Sequence, residues 1–202
     1  TAAQSQVECG PAEPEAITLE IVVLPCPHER HASMLRCALI VTVLFAECSL
    51  LLAAEKELYS RFSQETFQSA KDGSLKYRFL KPAGLSEAGD AKKFPLVVFL
   101  HGAGERGDDN TKQLVHGVTK FAADDYLKKY PCFVIAPQCP SGKRWVEVDW
   151  SLSSHRMPEK MSDPLRLTME LIASLEKSLP IDSSRIYITG LSMGGYGTWD
   201  AI

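Results

Sequence analysis

Three short apolar runs punctuate the later part of the chain: Leu96-Val97-Val98-Phe99-Leu100, Cys132-Phe133-Val134-Ile135-Ala136 and Arg185-Ile186-Tyr187-Ile188-Thr189. Each is short and rich in β-branched or aromatic residues. Such runs read as strands buried on both faces, as in a parallel sheet with helices above and below. Ahead of them, Phe67 to Ala70 and Leu75 to Leu80 flank Lys71-Asp72-Gly73-Ser74, which predicts an antiparallel hairpin on an Asp-Gly turn. Pro82 to Lys93, rich in Gly, Ala and charge, predicts a loop. Lys112 to Lys129 has roughly helical spacing, with Gly117 inside it. The clearest helix starts at Asp163 as N-cap with Pro164 in its first turn. Its apolar face is Thr168, Leu171, Ile172, Leu175 and Leu179, and Pro180 stops it. Hairpin, strand, helix, strand, helix, strand is the order of an α/β fold with a mainly parallel sheet.

Upstream the pattern changes character. Met34-Leu35-Arg36 is a short basic start, Ala38 to Ala46 is apolar, and Leu50 to Ala54 ends in small residues before Glu55. That is the grammar of a signal peptide over 34–54, cleaved near Ala54. A transmembrane anchor needs about 20 apolar residues, and Glu47 interrupts this run. A lipoprotein anchor at Cys48 would want a small residue where Glu47 stands. The expectation is a secreted or periplasmic protein with no stable membrane anchor. Translation is expected to start at Met34, leaving 1–33 as an unassigned, non-native leader. His28 and His31 in that leader lack the i, i+4 spacing of a helical metal pair. Residues 55–64 read as a linker and 65–202 as the folded part.

Composition narrows the classes. With 22 basic and 25 acidic residues the net charge is −3, and no basic stripe interrupts the sequence, so nucleic acid is not an expected partner. Six cysteines would suit disulfides in an exported chain, but only Cys132 and Cys139 lie beyond the signal region. A strand between them carries them past the ~7 Å Cα limit for a bridge, so two free thiols are expected.

The third apolar run leads into Gly190-Leu191-Ser192-Met193-Gly194-Gly195. A serine hydroxyl is a poor nucleophile; a hydrolase must hold it clear of other side chains, near a base and beside hydrogen-bond donors. A sharp strand-to-helix turn does this. It strains the serine and crowds strand against helix, which demands small flanks such as Gly190 and Gly194. The plainer alternative is a Gly-rich turn with a solvent-facing serine.

A second element follows the first apolar run: His101-Gly102-Ala103-Gly104-Glu105-Arg106-Gly107. In a fold built on such a turn, this loop lies beside the serine and lends one backbone N–H to an oxyanion hole, the residue after the serine lending the other. Those donors would be Ala103 and Met193, with His101, Gly102 and Gly104 supporting the loop. Glu105 and Arg106 are adjacent opposite charges that read as a structural ion pair.

With these two motifs, Phe94 to Asn110 and Gly190 to Trp199, the sequence resembles the α/β-hydrolase superfamily. It is most similar there to the secreted bacterial carboxylesterase and "predicted peptidase" branch, related to phospholipase/carboxylesterases and prolyl-oligopeptidase-like enzymes. The resemblance covers roughly 65–202. It implies a three-layer α/β-hydrolase fold, present in part, and a serine hydrolase acting on small-molecule esters through an acyl-enzyme on Ser192, without metal or organic cofactor. Peptide cleavage is the alternative chemistry, and a non-catalytic binding module the alternative class. In the superfamily the triad acid and histidine follow the serine in chain order. Only ten residues follow Ser192, and Asp200 falls within the helix expected there. All five histidines precede the serine. The expectation is therefore a fragment lacking its acid and base, inactive by itself. Trp145 and Trp150 lie on one loop and either line a substrate pocket or cover core.

Overall fold

A computed structural model describes residues 55–85 and 92–202. Residues 1–33, read as a leader, residues 34–54, read as a signal peptide, and part of the Pro82–Lys93 loop lie outside the described residues. Five strands form one sheet: β1 (Ser63–Gln68), β2 (Ser74–Leu80), β3 (Phe94–Leu100), β4 (Phe133–Pro137) and β5 (Ile181–Gly190). Their spatial order is β1-β2-β4-β3-β5. β1 and β2 pair antiparallel, as does β2 with β4, whereas β3 runs parallel to both β4 and β5.

The hairpin forms on the expected turn, with Gly73 at φ +85° and Ser69 N–H bonded to Gly73 O. Its first strand starts earlier than the pattern suggests. Ser63–Gln68 is an edge strand exposed over most of its length, so it carries no apolar alternation to mark it. Residues 55–64, read as linker, hold a helix over 55–60, a buried Phe62 and the first residues of β1.

The segment Lys112 to Lys129 is not one helix. It breaks into 3-10 turns at Lys112–Leu114 and Val118–Ala122 and a short helix α1 (Asp124–Lys129). The break is at Gly117, whose φ of +82° is incompatible with a helix interior. Helix α2 (Asp163–Ser178) forms as the pattern requires, but its cap is Ser162 rather than Asp163. Ser162 Oγ accepts the Leu165 N–H at 3.3 Å and donates to Trp145 O at 2.6 Å. Helix α3 (Met193–Ala201) follows β5 directly.

The sheet is covered on both faces. On one, Leu96, Val98, Leu100, Phe133 and Ile135 pack with Leu165, Leu171 and Leu175 of α2 and Met193 of α3. On the other, Val97, Val134 and Ala136 pack with Phe62, Leu114, Val118 and Ala122. The connection after β3 thus runs over one face and the helix after β5 over the other. Adjacent parallel strands whose continuations part to opposite faces leave a crevice at their carboxyl ends. Into that crevice project the His101–Gly107 loop and the Gly190–Gly195 turn.

Candidate active site

Ser192 occupies the turn between β5 and α3 with φ 52° and ψ −113°, a conformation that L-residues seldom adopt and that the surrounding structure must hold. Its side chain is exposed and does not cap the helix it precedes. The turn is braced by Leu191 N–H to Leu100 O at 3.1 Å and by Gly194 N–H to Leu191 O at 2.8 Å.

The glycines around it have separate reasons. A Cβ on Gly190 would lie 2.3 Å from Gly194 O, and one on Gly194 would lie 1.9 Å from Leu100 O. No side chain fits either gap. Gly195, by contrast, has nothing nearer than 3.9 Å. Gly197 packs against Trp145 and Leu100, so α3 is drawn tightly onto the end of β3.

The His101–Gly107 loop lies against this turn. A Cβ on Gly102 would come 3.8 Å from Ser192 Cβ and 3.6 Å from Leu191 O. Ala103 opens a 3-10 turn (Ala103–Glu105) and Met193 opens α3, so neither N–H has an acceptor within its own helix. Among the described residues no turn or cap bond takes either one. Gly104 is exposed, and a Cβ there would meet nothing within 4 Å, so packing does not demand a glycine at that position.

His101 is 1% exposed and serves the loop with both ring nitrogens. Nε2 accepts the Cys139 N–H at 2.9 Å, so Nδ1 carries the proton and donates to Gly102 O at 2.6 Å. Burial pushes its pKa below the ordinary histidine value, and the ring stays neutral. Trp145, fully buried, donates its indole N–H to His101 O at 3.0 Å. Of the two tryptophans, then, Trp145 is core and ties the loop to α3. Trp150 is half-buried, stacks on Tyr196 and lies under the Arg144 guanidinium.

Further along, a buried polar cluster that sequence reasoning missed anchors the loop. Gln138 accepts the Asn110 N–H at 2.7 Å and donates to Glu105 O at 3.1 Å. Arg78, itself buried, reaches the carbonyls of Asn110 and Phe62. Asn110 has φ 52°, one of two positive-φ non-glycine residues among those described, the other being Ser192. A buried Arg on β2 is invisible to pattern reading because its hydrophobic neighbours dominate the strand signal.

Glu105 and Arg106 do not pair. Arg106 Nε turns back to Ala103 O at 2.8 Å, and the partner of Glu105 is His116, with Nε2 3.5 Å from Oε1. His155 bonds Tyr196 Oη at 3.0 Å. Asp200 lies on α3 as expected; its Oδ2 is buried without a partner, and desolvation raises its pKa. Cys132 and Cys139 are both free and buried, and burial pushes their thiols up to about 11 and about 12. Among the described residues no helix is long and apolar enough to cross a membrane. A groove of ≈ 670 Å³ lined by Phe94, Phe121, Tyr130 and Tyr187 sits at the amino ends of β3 and β4, away from Ser192, so cavity size does not locate this site.

No protein-family model matches the chain, and no curated protein matches it. Among solved structures, one described as a thermostable esterase is 41% identical over 71% of the chain, with a TM-score of 0.61. The chain spans 38% of that esterase's length. An S-formylglutathione hydrolase from Staphylococcus aureus is 20% identical, with a TM-score of 0.45, over 67% of this chain and 49% of its own. A Pyrococcus horikoshii acylaminoacyl peptidase is 19% identical, with a TM-score of 0.42, over 68% and 20%. The esterase match and the sheet order make the fold that of an α/β-hydrolase in part, with a structural neighbour of the esterase type.

Proposed function

We propose that the chain carries the nucleophile and the oxyanion loop of a secreted serine hydrolase of the α/β-hydrolase superfamily, acting on carboxylic esters through an acyl-enzyme on Ser192. The observation that carries this reading is the strained Ser192 at the strand-to-helix turn with the Gly102 loop packed against it. In the first step Ser192 Oγ bonds to the acyl carbon and gives its proton to a base. The ester C–O bond then breaks, and the alcohol leaves with that proton. Water hydrolyses the acyl-enzyme and releases the acid. The Ala103 and Met193 N–H groups are the donors for the oxyanion, and the bracing of both turns keeps them in place before substrate arrives.

We place the base and acid outside the described residues. No described histidine hydrogen-bonds Ser192: His101 is taken up by the loop, His116 lies against Glu105, and His155 bonds Tyr196. The reading calls on no metal or organic cofactor. The esterase relative supports ester over amide as substrate. Turnover of an aryl acetate and the matching anilide by the complete protein tests this. Ester hydrolysis lost in Ser192→Ala is expected; anilide cleavage faster than ester cleavage would favour a peptidase.

A further inference from the structure

Glu105 folds back over its own 3-10 turn, so that Oε2 lies 2.9 Å from where a Gly102 Cβ would stand. That same point is 3.8 Å from Ser192 Cβ. The carboxylate oxygen is therefore within about 6.7 Å of the Ser192 Cβ, on the loop that packs against the Ser192 turn. Its side chain is only 13% exposed. No fixed cation answers it among the described residues: Arg106 points to Ala103 O, and Gln138 donates to the Glu105 backbone rather than to the carboxylate. Its charge partner, His116, is itself 56% exposed and charged only when protonated. Asp109, two residues beyond the loop, is paired with Lys112 at 3.2 Å.

Resting on the serine-hydrolase reading, we infer that Glu105 is a specificity-determining residue that sets the charge preference of the site. Its carboxylate disfavours esters bearing an anion near the scissile bond and favours neutral or cationic ones. Two unit charges ~7–10 Å apart, in the partly screened setting of a surface crevice, interact strongly enough to shift a rate ratio by about 3- to 30-fold.

The test uses three aryl acetates of one shape, 4-acetoxybenzoate, 4-acetoxybenzamide and (4-acetoxyphenyl)trimethylammonium, with the complete protein. Dividing each kcat/KM by that for the amide, then variant by wild type, cancels their differing leaving groups. Glu105→Gln is expected to raise the anionic ratio about 3- to 30-fold and to lower the cationic one, whereas Glu105→Asp keeps the wild-type order. A residue that merely props the loop would lower all three substrates equally, and that result overturns the inference. If Glu105→Gln does not fold, the wild-type anionic ratio measured from 0.02 to 0.5 M salt decides: it should rise, and a flat profile overturns the inference. Hydrolysis of none of the three by wild type would overturn the function reading as well, while hydrolysis with unchanged ratios would overturn this inference alone.

Discussion

Replacing Gly194 by alanine should damage the site through geometry alone. The added Cβ would stand 1.9 Å from Leu100 O, where real contacts stay beyond 3.0 Å, so α3 and the end of β3 must part by about 1.1 Å. Overpacking of this kind costs about 1–3 kcal/mol. The parting also strains the Leu191 N–H to Leu100 O bond, a net ~0.5–1.5 kcal/mol more. Against a total stability of about 5–15 kcal/mol the domain is weakened but can still fold. Activity should suffer more. The same movement separates Met193 from the Gly102 loop, and misplacement by ~1 Å can cost on the order of 10²-fold in rate. Gly195→Ala is the matched control: its nearest contact is 3.9 Å, and helix propensity favours alanine by about 0.8–1 kcal/mol. Thermal melts and kcat/KM on an aryl acetate, measured on the complete protein, read both effects. The expectation is a large loss in Gly194→Ala with unchanged or improved stability in Gly195→Ala. Equal behaviour of the two variants would refute the close approach of helix and strand.

Two further expectations concern the loop and the signal-peptide reading. Burial holds the His101 pKa below its unfolded value, so the unfolded state takes up the proton first as pH falls. The stability tied to its neutral form is complete above pH ~6.5 and is lost below it. Urea melts from pH 8 to 5 should therefore show a steeper decline in wild type than in His101→Gln, which starts lower but titrates less; parallel declines would contradict this. N-terminal sequencing of the exported protein should find a start near Glu55, and a cytoplasmic product retaining Met34 would contradict the signal-peptide reading.

Much of the fold could be read from the chain because its central elements are locally consistent. β3 and β4 are unbroken apolar runs, and α2 has a Pro in its first turn, a single apolar face and a proline stop. The turn at Ser192 was legible because a sharp strand-to-helix turn needs small residues at fixed offsets, and Gly190 and Gly194 stand where no side chain fits. What was not legible depended on neighbours distant in sequence. β1 is held by backbone pairing with β2 rather than by an apolar face. β5 begins at Ile181, before its apolar run, because an irregular register carries Asp182 to Arg185 past Phe94. The Glu105 partner could not be found from adjacency, since consecutive side chains leave a turn in different directions and His116 arrives from eleven residues on. Which tryptophan would be core rested on α3 meeting Trp145 through Gly197.

The most direct measurement is covalent labelling of the complete protein with a fluorophosphonate probe, followed by peptide mass spectrometry. On the proposed reading the exposed, strained Ser192 takes the phosphonyl group, and Ser192→Ala removes it while leaving the melt unchanged. Labelling that persists in Ser192→Ala, or a folded wild-type protein that hydrolyses aryl esters without labelling at Ser192, would contradict the account.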